Sequence, residues 1–120
     1  MVKALFDTNI LIDYLNATPQ ARTELARYEA RTISIVTWME VMVGASAGVE
    51  AATRAFLATF DLVELDASIA DRAVVLRRMH RMKLPDAIVW ASAQSRSMLL
   101  VTRNEKDFPK GPGIRHPYKL

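Results

Sequence analysis

The first thirteen residues constrain the fold of this chain more than any other stretch. A nearly continuous apolar run from Val2 to Phe6 stops at Asp7-Thr8-Asn9, and apolar residues resume from Ile10 to Leu15. The first run is typical of a buried strand in a parallel sheet, and the second suits a short buried helix. Ligands of open α/β sheets bind where strands end and the next helices begin. We therefore expect Asp7 to lie at a functional site.

Strands and helices alternate along the rest of the chain. Apolar runs predict further strands at 32–36, 62–65 and 98–101, with 62–65 nearer an edge and a last edge strand at 114–118. Helices are predicted over 19–28, 37–44, 49–60, 66–82 and 84–95. We expect Met79 on the inner face of the long helix. The alternation predicts an α/β fold, a three-layer α/β/α domain over residues 1–120 with a mostly parallel central sheet.

The composition excludes several classes of chemistry. The chain has no cysteine, which excludes disulfides, zinc–thiolate sites and thiol nucleophiles. No apolar run approaches the roughly 20 residues of a membrane span. Because Asp7 and Asp13 interrupt the N-terminal apolar stretch, that stretch makes a poor signal peptide. We therefore expect a cytoplasmic protein that does not enter the membrane.

Four acidic residues, Asp7, Glu40, Asp86 and Asp107, lie at or near predicted helix starts. Three of them follow apolar strands, so we expect them to gather at one edge of the sheet. Neighbouring carboxylates repel one another unless a cation lies among them. Oxygen ligands without cysteine or a well-placed histidine suit Mg²⁺ or Mn²⁺. A cluster of this kind is typical of metal-assisted phosphodiester hydrolysis.

Each acid also has a purely structural interpretation. Thr37 and Glu40 have the spacing of a capping box, in which the Glu40 side chain would bond the Thr37 N–H. Asp7 could be a helix N-cap. Asp86, after a proline, could be a first-turn acid stabilised by the helix dipole.

Four segments resemble, in order, the successive motifs of PIN domains, most closely those of VapC-type toxins. These segments are 6–9, 37–44, 84–88 and 101–108, so the resemblance covers essentially the whole chain. It implies a compact α/β/α fold and Mg²⁺- or Mn²⁺-dependent endoribonuclease activity on RNA. It also implies inhibition by a small antitoxin protein, and a homodimer.

Carried over residue by residue, the resemblance assigns the core acidic ligands to Asp7, Glu40 and Asp86. The fourth position departs from the common pattern, since many PIN domains have an acid where this chain has Asn104. Others have Asn there and a carboxylate three residues later, as Asp107 is here. We predict that Asp107 is the fourth ligand. The alternative is that it only completes a cap with Asn104.

Polar residues near the acids have supporting roles under the same resemblance. Thr102 matches a hydroxyl that lies beside the first aspartate in PIN domains. Thr8 and Asn9 match the first motif, where their polar groups would fix the Asp7 turn. Asn104 is placed to cap the turn after the last predicted inner strand.

Three arginines crowd the helix before Asp86, in a chain of net charge +3. We interpret Arg77, Arg78 and Arg81 as a track for RNA phosphates that leads to the acidic site. The alternative is an ordinary solvent-exposed helix face.

Two other functions remain open. One is a catalytically silent PIN-like binding module, against which the retention of all the acids argues. The other is a receiver-type signalling domain with Asp66 as phosphoacceptor. A receiver needs an acidic pair after its first strand and a late lysine, and both are missing here.

Overall fold

Five strands form the centre of the molecule, in a computed structural model that describes residues 2–120. The strands are β1 (Ala4–Phe6), β2 (Arg31–Ser34), β3 (Asp61–Val63), β4 (Leu99–Val101) and β5 (Ile114–Arg115). The helices are α1 (Thr8–Leu15), α2 (Pro19–Ala26), α3 (Ile35–Gly44), α4 (Glu50–Leu57), α5 (Ala67–His80) and α6 (Leu84–Ser95), with a short 3₁₀ helix at Ala47–Val49. None of these helices combines the length and apolarity needed to cross a membrane.

All five strands run parallel, in the order β3-β2-β1-β4-β5. In the central strand, Leu5 pairs with Thr32 on one side and with Leu100 on the other. The predicted α/β/α fold is confirmed, with a wholly parallel sheet and with β3 and β5 at its edges as expected. The order of connection reverses between β1 and β4, and such a switch point opens a crevice at the carboxyl ends of the strands.

The sheet separates two apolar cores. Leu5 and Leu100 pack into one core, chiefly with side chains of α5 and α6. Phe6 and Val101 pack into the other, with side chains of α1 to α4. All three residues of β1 are fully buried, so this strand holds both layers together. Burying Leu5 and Phe6 stabilises the fold by roughly 1.5–3 kcal/mol each.

The boundary between β2 and α3 differs from the prediction. The strand ends at Ser34, whose hydroxyl accepts a hydrogen bond from Val36 N at 3.1 Å and caps the helix. Thr37 therefore lies inside α3, and the alternative interpretation of Glu40, a capping box with Thr37, is wrong. The sequence misled because Ile35 and Val36 are β-branched, which favours a strand, although here they form the first turn of a helix.

Met79 was expected on the inner face of α5, and this prediction is wrong, since the residue is 69 % exposed. The buried positions of α5 are Ile69, Ala73 and Leu76. The helix ends at His80, and Arg81 turns the chain in the left-handed region with φ 54°. Met82 follows that turn and fills the core position at 4 % exposure.

Candidate active site

Asp7 ends the central strand and begins α1. Its Oδ1 accepts from Thr8 N at 2.8 Å, so the residue is the N-cap that the sequence allowed. Its Oδ2 accepts from the Thr102 hydroxyl at 2.8 Å and from Asn9 Nδ2 at 3.1 Å. These donors orient a carboxylate that is only 4 % exposed. The supporting residues proposed from the sequence for the Asp7 turn do contact it.

The surroundings of Asp7 disfavour its charge. Burial raises the pKa of Asp7 to about 6, and the nearby carboxylates of Asp86 and Glu40 add to the rise. The hydrogen bonds from Thr102 and Thr8 act in the opposite direction. A positive charge placed close to Asp7 would therefore be favourable.

Glu40 reaches the site from the middle of α3. The Thr8 hydroxyl donates to Glu40 Oε1 across 2.6 Å, and the Thr8 and Thr37 hydroxyl oxygens lie 3.1 Å apart. Glu40 thus turns toward the end of β1 and away from the start of its own helix. Thr37, which the sequence assigned to a cap, instead contacts a supporting residue of the site.

Asp86 lies in the first turn of α6, as predicted. Burial raises its pKa, and the carboxylates of Asp107 and Glu40 raise it further, while Lys83 opposes them. Asp86 is therefore within electrostatic reach of three other acids. Lys83 is a charged neighbour that the sequence reasoning missed, although its position three residues before Asp86 was a usable signal.

Asp107 follows β4 in a turn, and no helix begins near it in the described residues, although the sequence analysis placed it at or near a helix start. Asn104 Nδ2 donates to Asp107 Oδ2 at 3.0 Å, and Asp107 N donates to Asn104 Oδ1 at 3.1 Å. This reciprocal pair is the capping arrangement considered as an alternative. The charge of the Asp107 carboxylate also raises the pKa of Asp86. Asp107 therefore both closes its turn and lies within electrostatic reach of Asp86.

A continuous chain of hydrogen bonds joins three of the four acids. Thr8 connects Glu40 to Asp7, and Thr102 connects Asp7 to the turn after β4, because Asn104 N donates to Thr102 Oγ1 at 3.1 Å. Its members, which we call the acidic chain, are Glu40, Thr8, Asp7, Thr102, Asn104 and Asp107. As the side chains of residues 2–120 are placed, no three acids or histidines surround a single point closely enough to bind one ion.

The predicted arginine group lies at and just beyond the end of α5. Arg77 and Arg78 are exposed on the last turn of α5, and exposed Arg81 follows that helix. None of the three belongs to the acidic chain. Their exposure fits both the phosphate track and the solvent-exposed face, so the RNA-binding role stays a prediction.

A model of a protein family, described as the PIN domain, matches residues 4–113. This chain belongs to the PIN domain family. Its acidic chain lies where the sheet of this PIN domain has its switch point, at the ends of β1 and β4. PIN-domain nucleases generally use divalent metal ions.

Relatives of this PIN domain include toxin–antitoxin proteins. A chain of a toxin–antitoxin complex from Klebsiella pneumoniae is 46 % identical, with a TM-score of 0.94, and covers 98 % of this chain and 100 % of its own length. The tRNA(fMet)-specific endonuclease VapC of Shigella flexneri is 28 % identical over 96 % of both chains. A chain of DNA-bound VapBC from Salmonella typhimurium, 24 % identical over 96 % of each chain with a TM-score of 0.77, has the same fold.

The comparisons confirm that this chain is a PIN domain with a VapC endonuclease among its relatives. The receiver-type alternative is wrong. Asp66, the candidate phosphoacceptor, caps α5 by accepting from Ile69 N at 2.8 Å.

Proposed function

We propose that this PIN domain is a Mg²⁺- or Mn²⁺-dependent endoribonuclease that acts as the toxin of a toxin–antitoxin pair. The observation that carries the proposal is the acidic chain, which links carboxylates from α3, the end of β1 and the turn after β4. Asp86 adds a fourth carboxylate within electrostatic reach. Four neighbouring carboxylates repel one another, which is a free-energy cost that helix capping does not require. A metal-dependent nuclease uses such a cluster to bind its ions.

The donor set fits a hard divalent cation. The residues that would hold the ion, by drawing closer together than they lie here, are Asp7, Glu40, Asp86 and Asp107. All four offer carboxylate oxygens, and the charges of neighbouring acids contribute to the raised pKa of Asp7 and of Asp86. A bound Mg²⁺ or Mn²⁺ supplies an activated water and stabilises the charge that develops on the phosphate. Thr8 and Thr102 keep the Asp7 carboxylate oriented by hydrogen bonds at 2.8 Å each. Preorganised oxygens of this kind lower the cost of ion binding.

RNA would approach past the C-terminal end of α5, which precedes the Asp86 motif in the chain. Arg77, Arg78 and Arg81 are exposed there and carry three positive charges. Arginine side chains bind phosphate oxygens by paired hydrogen bonds. The arginines thus suit backbone contacts, which contribute affinity without selecting a sequence. As an RNase toxin the protein would act in the cytoplasm, and its resemblance to PIN-type toxins implies a homodimer.

The proposal that a small antitoxin binds this chain rests on the 46 % identical relative from a Klebsiella toxin–antitoxin complex. A groove of about 450 Å³ between α1, α3 and the start of α4 offers a docking place for a small partner. Ile12, Leu15, Val41 and Val49 supply apolar side chains to its lining. A partner that also inserts an arginine among the acids would neutralise them through two-point pairing. Such a partner would block the same carboxylates that the ion needs.

Cleavage of RNA by the purified chain tests the nuclease proposal. Cleavage that appears with Mn²⁺, stops with EDTA and is absent in Asp86→Asn would support it. Asp71→Asn, the same change at an exposed position of α5, is the matched control. A folded wild-type protein that leaves structured and unstructured RNA intact in Mn²⁺ would favour the catalytically silent binding module.

Expression in cells tests the toxin proposal separately. We expect growth arrest on induction of the wild-type chain, relieved by the adjacent small reading frame and absent in Asp86→Asn. Growth arrest that no neighbouring reading frame relieves would contradict the toxin role and leave the nuclease role standing.

A further inference from the structure

Arg103 lies in sequence between two residues that form hydrogen bonds with acids of the site. Thr102 donates to Asp7, and Asn104 donates to Asp107. The Arg103 guanidinium donates from Nε and Nη2 to the two carboxylate oxygens of Asp13, at 2.7 and 3.0 Å. Asp13 lies on α1 and is only 5 % exposed. The Tyr118 hydroxyl donates to the same carboxylate at 2.7 Å. We call Asp13, Arg103 and Tyr118 the inner clamp.

A second group of the same kind, with a glutamate in place of the aspartate, lies between α2 and β5. Arg115 donates from Nε and Nη2 to Glu24 at 2.7 and 3.0 Å, and the Tyr28 hydroxyl donates to Glu24 Oε2 at 3.0 Å. Glu24 is 4 % exposed. We call these three residues the outer clamp. It joins α2 to β5, whereas the inner clamp joins α1 to the turn after β4.

We propose that Asp13 and Tyr118 are positioning residues for the active site, which act through Arg103 to hold residues 102–104 against Asp7 and Asp107. The proposal deepens the nuclease function proposed above and rests on it for its effect on cleavage. Its structural part concerns the order of the 102–104 turn and stands on the contacts alone.

Two residues of α1, Asn9 and Asp13, form hydrogen bonds with this turn. Asn9 Oδ1 accepts from Arg103 N at 3.1 Å, while Asn9 Nδ2 donates to Asp7 at 3.1 Å. Asp13, one helical turn farther along the same face, binds the side chain of Arg103. The backbone and the side chain of one residue are therefore fixed to one rigid element. Loosening the side-chain contact leaves the backbone contact as the remaining link to α1.

The hydroxyl of Tyr118 completes the clamp from the C-terminal segment. Burial and the hydrogen bond to Asp13 both raise the pKa of Tyr118, so the hydroxyl stays a donor at neutral pH. Hydrogen bonds to a buried carboxylate are among the stronger ones in proteins. Removing this donor leaves Asp13 Oδ2 with Arg103 Nε as its one remaining side-chain donor among the described residues and frees Arg103 to shift. The C-terminal segment thereby controls a turn that contains two site residues.

Tyr118→Phe tests the proposal, with Tyr28→Phe as the matched control because it removes the same hydroxyl from the outer clamp. The first measurement is amide hydrogen exchange by NMR in EDTA. We expect the Arg103 and Asn104 amides, which donate to Asn9 and Thr102, to exchange about fivefold faster in Tyr118→Phe, as loss of one such hydrogen bond implies. In Tyr28→Phe these two amides should exchange as in the wild type.

The second measurement is RNA cleavage titrated with Mn²⁺. We expect Tyr118→Phe to raise the Mn²⁺ concentration for half-maximal cleavage about fivefold, with cleavage at saturating Mn²⁺ within about twofold of the wild type. Tyr28→Phe should leave the titration unchanged. Should Tyr118→Phe fail to fold, Arg103→Lys with Arg115→Lys as control makes the same comparison, since lysine keeps the charge and loses the fork.

Equal effects of the inner and outer variants on both measurements would overturn the proposal, because both clamps would then only stabilise the fold. Unchanged exchange of the Arg103 and Asn104 amides in Tyr118→Phe would also overturn it. A wild-type protein without Mn²⁺-dependent cleavage would instead contradict the nuclease function. In that case the exchange comparison still decides whether the inner clamp positions the turn.

Discussion

The hydroxyl of Thr102, just after β4, donates to the carboxylate of Asp7, just after β1, across 2.8 Å. The two strands are neighbours, and Asp7 N donates back to Val101 O at 2.9 Å. Side chain and backbone thus join the two strand ends at the switch point of the sheet. The position of the first acid is therefore fixed by the sheet and not by a flexible loop, which suits a preorganised site.

Replacing Asp86 by Asn should lower RNA cleavage at least about a thousandfold, because it removes a carboxylate proposed to hold the ion. Asp86 is half-buried at the start of α6, so the fold should survive. Asp7→Asn should be equally inactive, although Asn there cannot accept from all of its present donors. Single-turnover cleavage with a circular dichroism check measures both. A variant that keeps a tenth of the wild-type rate would exclude that residue as a principal ligand.

Divalent ions should raise the melting temperature. Binding to the native state stabilises it by mass action. Here the ion would also offset the burial and the repulsion among carboxylates, which together raise the pKa of Asp7 and of Asp86. Thermal melts in millimolar Mn²⁺ and in EDTA should differ by several degrees. The difference should shrink in Asp86→Asn. Coincident melting temperatures for the wild type would argue against an ion site.

Asp107→Asn should raise the Mg²⁺ concentration for half-maximal cleavage several-fold, since a neutral amide attracts the ion less than a carboxylate. The reciprocal hydrogen bonds with Asn104 predict a small loss of stability as well. Glu105→Gln, in the same turn and paired with Lys119 at 3.4 Å, is the control. An unshifted Mg²⁺ titration in Asp107→Asn would leave this residue as a cap alone.

Neutralising Arg77, Arg78 and Arg81, at and just after the end of α5, should weaken RNA binding and reduce its salt dependence by up to about three phosphate contacts. Because Arg81 has φ 54°, glycine is the suitable replacement there and alanine suffices at Arg77 and Arg78. Replacement of all three by lysine keeps the charges and should preserve the salt slope. Binding measured across a range of salt concentrations gives the answer. A salt dependence in the neutral variant equal to that of the wild type would support the alternative, in which the arginines form an ordinary solvent-exposed face.

Glu24 should make stability depend on acid pH. Burial acts to raise its pKa, but the hydrogen bonds from Arg115 and Tyr28 outweigh it and hold the pKa below the ordinary 4.5. A lowered folded-state pKa contributes stability that is fully present above pH 4.5 and is lost as the pH falls through the lower, folded-state value. Glu24→Gln should therefore be less stable than the wild type at pH 7, and the gap should narrow in acid.

Urea unfolding at a series of pH values measures that gap. Glu50→Gln provides the control, because Glu50 is 54 % exposed in its pair with Arg54 at 3.5 Å. Surface pairs of this kind contribute little stability. A gap between Glu24→Gln and the wild type that stays constant from pH 7 to acid would contradict the assignment of the shift to the folded state.

The sequence by itself determined the features that depend on neighbouring residues. The apolar run that ends at Asp7 identifies a buried strand and its carboxyl end, and Pro85 before Asp86 identifies a helix start. The alternation of strands and helices was enough for the parallel α/β/α fold. The pairing of Asn104 with Asp107 was also open to prediction, since Asp107 comes three positions after Asn104.

Only the tertiary structure decided the contacts between distant parts of the chain. Glu40 contacts Thr8 from the middle of α3. The capping-box interpretation placed the start of this helix at Thr37, which is wrong because the β-branched Ile35 and Val36 begin the helix and do not end the strand. Arg103 meets Asp13 across 90 residues of sequence. Local patterns report the periodicity and burial of each segment, whereas such pairs depend on which strands become neighbours. The order of the sheet, with β4 beside β1, brings them together.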